Sequence, residues 1–440
     1  MMKRAIYFFS CCLFLVQLAS CRDSHEGAAL SDEQLLDLVQ KRTFAYFLDY
    51  AHPVSGMARE RYGSGDTVTV GGTGFGVMAV PVAVERGFIS RDEGAEHVLK
   101  IVDFLGSKAE RFHGAFPHWM NGTTGEALAF SMKDNGGDLV ETALLIQGLL
   151  AVRQYFDGHS QTEKNIRERI TSIWEAVEWD WFTNGRNTLY WHWSDEYGWD
   201  MNMEINGWNE GLITYVLAAS SPTHPVSRDV YVHGWARDGK MANGKQFYDV
   251  LLPLGPDYGG PLFFSQYSFL GLDPRGLRDE YADYWQQNVA HTLINYRYCV
   301  ANPKGWYGYG PDVWGLTASD IPGGYAASSP TEDFGTIAPT AALSSMPYTP
   351  KKSMAALRYY YEVLGSRAFG RYGFCDAFNL GKHWFAPSYL AIDQGPIIIM
   401  IENYRTGLLW KLFMKDREVR EGLSRLGFTR SDVHDLHVHQ

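Results

Sequence analysis

Residues 71–87, GGTGFGVMAVPVAVERG, are apolar on nearly every side of the helix they would form, so that helix needs cover all round. The same need recurs along the chain. Residues 135–156 (NGGDLVETALLIQGLLAVRQYF), 206–220, 258–271, 332–347 and 393–413 are also apolar, and they open with Gly, Asn or Pro near their starts. Between them lie stretches whose apolar residues keep a helical period: 31–50, 90–112, 162–182, 273–300 and 351–365. Fully apolar helices supply an inside and amphipathic ones its cover, and about six such pairs closed in a circle make an (α/α)6 barrel. The pattern predicts an all-α fold, a double ring forming one domain over residues 31–428. It lapses at 221–257, which reads as loop rich in Pro, Gly and Val. An open α-solenoid is the alternative, but no fixed period or solenoid consensus is present.

In such a barrel the inner helices start at one end. Their free N–H groups and positive dipole ends favour carboxylates and sugar hydroxyls there. Four long loops would wall that end, 113–127, 190–210, 305–333 and 374–393, all dense in Trp, Tyr, His and acids. Loops of this length usually serve binding. Flat indole and phenol faces stack on the C–H faces of sugar rings, so His118, Trp193, Trp208, Trp306, Trp314 and Trp384 are candidate substrate contacts. The whole chain holds 14 Trp, 26 Tyr and 24 Phe, which fits a carbohydrate ligand or simply an aromatic core.

Glycosidic hydrolysis needs one carboxylic acid to protonate the leaving oxygen and one carboxylate to activate water or attack carbon. KDNGGDLVET, residues 133–142, offers Asp134, Asp138 and Glu141. Asp138 and Glu141 could instead form a helix cap, with Asp138 binding the N–H of residue 141 and Glu141 reaching back, whereas Asp134 lies before the turn, where a cap would not need it. In MNMEINGWNEG, Glu204 falls in a cavity-facing loop and Glu210 in the first helical turn, as a cap or a substrate contact. Asp393 precedes Gln394-Gly395-Pro396 at the last apolar helix, where it too could be a cap. Glu402 and Arg405, three apart in that helix, could form a buried pair.

The N-terminus has Lys3 and Arg4, an apolar run from Ala5 to about Leu18, then Leu18-Ala19-Ser20-Cys21. This predicts a signal peptide over 1–20, lipidation of Cys21 and a flexible tether over 21–30, placing the protein in the cell envelope on a lipid anchor. Residues 429–440 read as a solvated tail, although its HDLHVHQ could ligate a metal. Cys299 and Cys375 are the only cysteines in the folded part, free to pair or to stay buried. The formal net charge of −11, with no basic cluster, argues against nucleic acid. No HExxH, phosphate loop or GxSxG is present, so neither metal nor nucleotide nor serine-hydrolase chemistry is expected, and no cofactor. The chain is expected to act as a monomer.

KDNGGDLVETALLIQGLL, MEINGWNEGLITYVLAASSPTHP and above all YLAIDQGPIIIMIENYRTGLLW make the chain from about 31 to 428 similar to the glycoamylase-like family, glycoside hydrolase family 144. That resemblance implies an (α/α)6 barrel without metal that hydrolyses β-1,2-glucan with inversion, either inside the chain or by releasing sophorose from an end. It implies that the family's important acids fall on Asp134, Asp138, Glu204 and Asp393. The expected roles are Glu204 as proton donor, Asp138 or Asp134 as base or its water-positioning partner, and Asp393 holding a sugar hydroxyl, with Glu141 in support. A hydrolase or lyase of another glycan on the same barrel, or a sugar-binding lipoprotein without turnover, are the competing readings.

Overall fold

The computed structural model describes residues 30–431. The expected signal peptide, Cys21, most of the tether and the histidine-bearing end of the tail lie outside the described residues. Helices alternate outer and inner in chain order. Ser31 opens outer helix α1 (Asp32–Leu48) with a capping box closed by Gln34. Inner α2 (Val70–Glu85) is followed by outer α3 (Arg91–Ser107), opened by the same device between Ser90 and Glu93. Inner α4 (Leu139–Tyr155) is followed by outer α5 (Gln161–Glu175), and inner α6 (Leu212–Ser220) comes next. Outer α7 (Tyr284–Ala301), inner α8 (Pro339–Leu343), outer α9 (Pro350–Arg358) and inner α10 (Ala391–Arg405) complete the barrel. Two short helices, α11 (Leu408–Lys415) and α12 (Arg417–Leu426), end it. Among the described residues the strands are two to four residues long and join loops only, and no helix is long and apolar enough to cross a membrane.

Glycines let the inner helices touch backbone to backbone. A Cβ on Gly74 would sit 2.5 Å from the Leu144 carbonyl oxygen, and one on Gly148 would sit 2.2 Å from that of Gly74. The α2–α4 contact is therefore closer than any side chain permits.

The double ring is present, but several members differ from expectation. Residues 258–271 hold only short 3-10 turns, Leu262–Ser265 and Tyr267–Leu270 after Asp257–Gly259, instead of an inner α-helix. Gly259 and Gly260, with φ of 95° and 84°, hold the backbone out of the helical region before them. Gln266 closes the ring from there, its side-chain amide donating to the Ala341 carbonyl of α8 at 3.0 Å. Residues 206–211 are a turn, with Gly207 at φ 72°, so α6 starts six residues later than the apolar segment. The apolar run 393–413 breaks at Gly407, φ 70°, into α10 and α11.

The lapse at 221–257 has a structural answer. The C-terminal helix α12 covers α6, with Gly422 so close to Ser220 that a Cβ there would clash. Thr429 and Arg430, expected in the tail, pair antiparallel with Arg278 and Leu277 and so belong to the fold. Glu402 and Arg405 do not pair with each other: Glu402 binds Arg86 at 2.8 Å, and Arg405 reaches Glu33 and Asp37 on α1, both at 2.6 Å. Cys299 and Cys375 are unpaired and buried.

Candidate active site

Inner-helix starts and loops enclose a cavity of 420 Å³ at one end of the barrel. Its first wall is built on α4. Phe116 accepts the Asp138 N–H at 2.8 Å and Trp191 accepts the Leu139 N–H at 2.8 Å, so the chain enters α4 clamped between two loops. Asp138 then caps the helix, its Oδ1 accepting the Glu141 N–H at 2.9 Å. Its Oδ2 accepts from Trp191 Nε1 at 3.2 Å and from His118 Nδ1 at 3.1 Å. Asp138 is fully buried, with both oxygens engaged, and does not line the cavity. It holds His118, which does line it.

Glu141 does not reach back to close the cap. Its carboxylate crosses to α2, where Gly71 N–H donates to Oε2 at 2.7 Å, and Oε1 lies 3.9 Å from His118 Nε2. Burial alone would lower the His118 pKa, but Glu141, Asp138 and Asp134 outweigh it and push the imidazolium up to about 9. Burial, then the Asp138 charge, raises Glu141, while His118 and the Gly71 N–H oppose the rise. Asp134 sits behind this wall, its Oδ1 3.5 Å from His192 Nε2. Burial and then the Asp138 charge push it up to about 7. His192 accepts the Gly136 N–H on Nε2 at 3.0 Å and so fixes the turn carrying Asp134. The donor atoms of His118, Asp134 and Asp138 lie within 4.8 Å of one another, close enough for a cation. The His118 and Trp191 N–H groups already aimed at Asp138 leave a cation little room there.

Glu210 lies just before α6 and lines the same cavity. Burial pushes its pKa up to about 7; a backbone hydrogen bond opposes the rise, and the charges of Glu141 and Asp138 add to it. Two carboxyl groups on neighbouring inner-helix starts thus face one space in different surroundings. Glu141 has a cation and a backbone N–H beside it, whereas Glu210 forms no ion pair among the described residues.

The opposite wall was not foreseen. Arg61 lines the cavity, paired with Glu60 at 2.9 Å and Asp320 at 3.0 Å. Asp320 ties the hairpin Ala318–Ile321/Gly324–Ala327 to that wall and sets Tyr325 against the cavity. Behind it, Asp376 accepts the Asp320 N–H at 2.7 Å. Asp393 lies inside the first turn of α10, not ahead of it, and is buried. Burial and then the Asp376 charge raise its pKa well above the carboxylate range. Each of these residues except Glu60 and Arg61 sits within a long loop whose density of acids and aromatics marked it in the sequence; nothing in the sequence set Asp320 or Asp376 apart from its neighbours.

Other expected contacts fall elsewhere. Glu204 is exposed, accepts from Tyr190 Oη at 3.3 Å and is not among the cavity-lining residues. Trp314 is fully buried in the core between α7, α8 and α9, and Trp208 packs against Phe269 and Tyr284. Trp193 packs edge-on against His113 and Trp181, while Trp306 lies under Gly335 and Trp384 pairs across a short hairpin with Asn379. Large indoles in long loops are used to give those loops a core of their own. The rings lining the cavity are Trp119, Phe130, Phe263, Tyr267 and Tyr325, with Phe130 stacked on His118 at 4.1 Å between centroids.

The sequence model of the Glycoamylase family matches residues 202–417. An exo β-1,2-glucooligosaccharide sophorohydrolase (non-reducing end) of Parabacteroides distasonis is 48% identical over 420 residues, covering 90% of this chain. This chain spans 58% of the length of that curated relative. A solved endo-β-1,2-glucanase of Chitinophaga pinensis, in complex with sophorotriose and glucose, is 53% identical with a TM-score of 0.89, over 91% of this chain and 99% of that one. A solved structure from Bacteroides uniformis is 57% identical with a TM-score of 0.90, over 91% and 98% of the two chains.

Proposed function

This chain belongs to the glycoamylase-like family, glycoside hydrolase family 144, and we propose that it hydrolyses β-1,2-glucan or β-1,2-gluco-oligosaccharides with inversion at the anomeric carbon. The observation that carries the reading is the pair Glu141 and Glu210, two carboxyl groups lining one cavity in unlike surroundings. An acid–base pair needs its pKa values pushed apart. Burial raises both carboxyls, but only Glu141 has an imidazolium beside it to oppose the rise, so Glu141 is assigned as the base that takes a proton from water. Glu210, pushed up to about 7 chiefly by burial, is the acid that protonates the leaving oxygen. Asp138 is a positioning residue, holding His118 against Glu141. Arg61, Tyr325 and the rings of Trp119 and Phe130 bind sugar hydroxyls and faces. No step in this scheme uses a metal.

The substrate follows from the relatives, one a sophorohydrolase and one a β-1,2-glucanase. Proton NMR of the first turnovers on β-1,2-gluco-oligosaccharides tests the reading. An α-anomer as first product supports inversion, and a β-anomer rules it out. No reducing ends from any β-1,2-linked substrate removes the function altogether. Sophorose as the sole early product marks attack from an end, and a ladder of sizes marks attack inside the chain. The protein is further proposed to reach the cell envelope through its signal peptide and to be held there by a lipid on Cys21.

A further inference from the structure

The end of the barrel opposite the cavity carries a groove of 580 Å³ whose charged lining is Asp273, Arg275, Arg405, Lys411, Lys415 and Arg430. That is five cations and one acid, on a chain with formal net charge −11. Asp273 is shared by Arg275 and Arg430, both at 2.9 Å, so one of these two charges is uncompensated there. Arg405 turns to Glu33 and Asp37, and Lys415 lies 3.6 Å from Asp157. Even with these three acids counted the groove stays positive. Gly407, in the left-handed conformation, has no side chain, and Arg275 Nη2 and Lys411 Cε approach to 3.3 and 3.8 Å of where its Cβ would be. Two basic side chains thus lie side by side over the buried Gly407 backbone. Tyr404 beside them is 45% exposed.

The chain also enters the fold on this face. The Leu30 carbonyl accepts from Arg358, and Glu33, in the first turn of α1, binds the groove's Arg405. Cys21 lies nine positions before Leu30, at most about 30 Å of extended chain. The cavity lies at the other end of α10, whose 15 residues span about 22 Å.

We propose that this basic face rests on an anionic lipid surface, with the cavity held away from the bilayer and open to a polymer in solution. The proposal rests on the reading of Cys21 as lipidated. A single anchor sets where the protein is, and a basic patch beside it sets which side faces the lipid. Phosphate headgroups meet the exposed Lys411 and Lys415 at the groove's rim, and Tyr404 takes the interfacial position that suits an aromatic ring with a polar tip.

The test footprints lysines on the full-length protein reconstituted in vesicles of phosphatidylglycerol with phosphatidylethanolamine, and in vesicles of phosphatidylcholine alone. A bilayer-impermeant amine-reactive ester is read by mass spectrometry, with Lys133 near the cavity as internal reference. Lys411 and Lys415 should react at least threefold more slowly on the anionic vesicles, and 0.5 M salt should erase the difference. Arg430→Glu, which leaves both lysines to report, should shrink it without changing turnover of soluble oligosaccharide. Equal labelling on the two vesicles, with the protein still floating with both, overturns the orientation and leaves the anchor standing. Protein that floats with neither removes the anchor and the orientation together. Salt-sensitive flotation with anionic vesicles alone, protecting the two lysines, supports the basic face without the anchor.

Discussion

The backbone N–H of Gly71 donates to the Glu141 carboxylate at 2.7 Å, joining two inner helices whose residues are 70 apart in sequence. A Cβ on Gly71 would lie 2.6 Å from that same oxygen. The absent side chain is therefore the space the carboxylate occupies, and the N–H it exposes opposes the rise that burial imposes on the Glu141 pKa.

Gly71→Ala should displace Glu141 and lower kcat by about 10²-fold, the order of loss that follows a misplacement near 1 Å. Alanine favours a helix over glycine by roughly 0.5–1 kcal/mol, which offsets part of the clash. Steady-state kinetics beside a melting curve check this: a lower kcat with little change in Tm is expected, and unchanged kcat would contradict the placement of Glu141.

With Glu210 as the proton donor, activity requires its protonated form, so kcat/KM should fall as pH rises through about 7. Glu210→Gln should cost about 10²–10⁴ in kcat and remove that alkaline limb. Glu204→Gln, outside the cavity lining, should leave the pH profile in place. The pH–rate profiles of the three proteins, measured on one oligosaccharide, decide it.

His118 is raised to about 9 and Asp134 to about 7, against ordinary values of 6.5 and 3.8. Both groups hold protons more tightly folded than unfolded, so their stabilisation is present at low pH and is lost as pH rises through the folded values. Tm should decline between about pH 4 and 7 through Asp134 and between about 6.5 and 9 through His118. Asp134→Asn should flatten the first part of that decline in calorimetric scans, and a steeper slope in the variant would reverse the assignment.

Tyr325 faces the cavity from a hairpin tied down by Arg61 and Asp320. As a ring that binds sugar equally in ground and transition states, it should affect KM more than kcat. Tyr325→Ala should raise KM by about tenfold, and Asp320→Asn, which loosens the whole hairpin, should do the same. A fall in kcat alone in either variant would speak against a binding role.

Gly148→Ala places a Cβ 2.2 Å from the Gly74 carbonyl oxygen, a backbone atom that cannot turn aside. The inner ring should separate there at a cost of about 3 kcal/mol. Chemical denaturation measures it, and a midpoint equal to that of the parent chain would show that the α2–α4 contact is looser than described.

The sequence by itself determined the double ring and the end at which a site would form. Period and polarity are local properties: segment 71–87 has no polar face to offer solvent, so it had to be inner, and the helical period of 31–50 and 90–112 marked outer helices. The same local reasoning found the Asp138 cap and the acid-rich loops. Only the tertiary structure decided which acids meet. In sequence Glu141 has only Asp138 and the cap as helical neighbours, while its partner in the fold, Gly71, lies on another helix. Glu204 and Glu210 are six residues apart, and the late start of α6 at Leu212 puts one in solvent and the other in the cavity. Arg61, Asp320 and Asp376 come from three separate loops and carry no shared motif. A helix is decided by neighbours within about four positions; a cavity is decided by residues brought together across hundreds, and by the glycines that let their backbones approach.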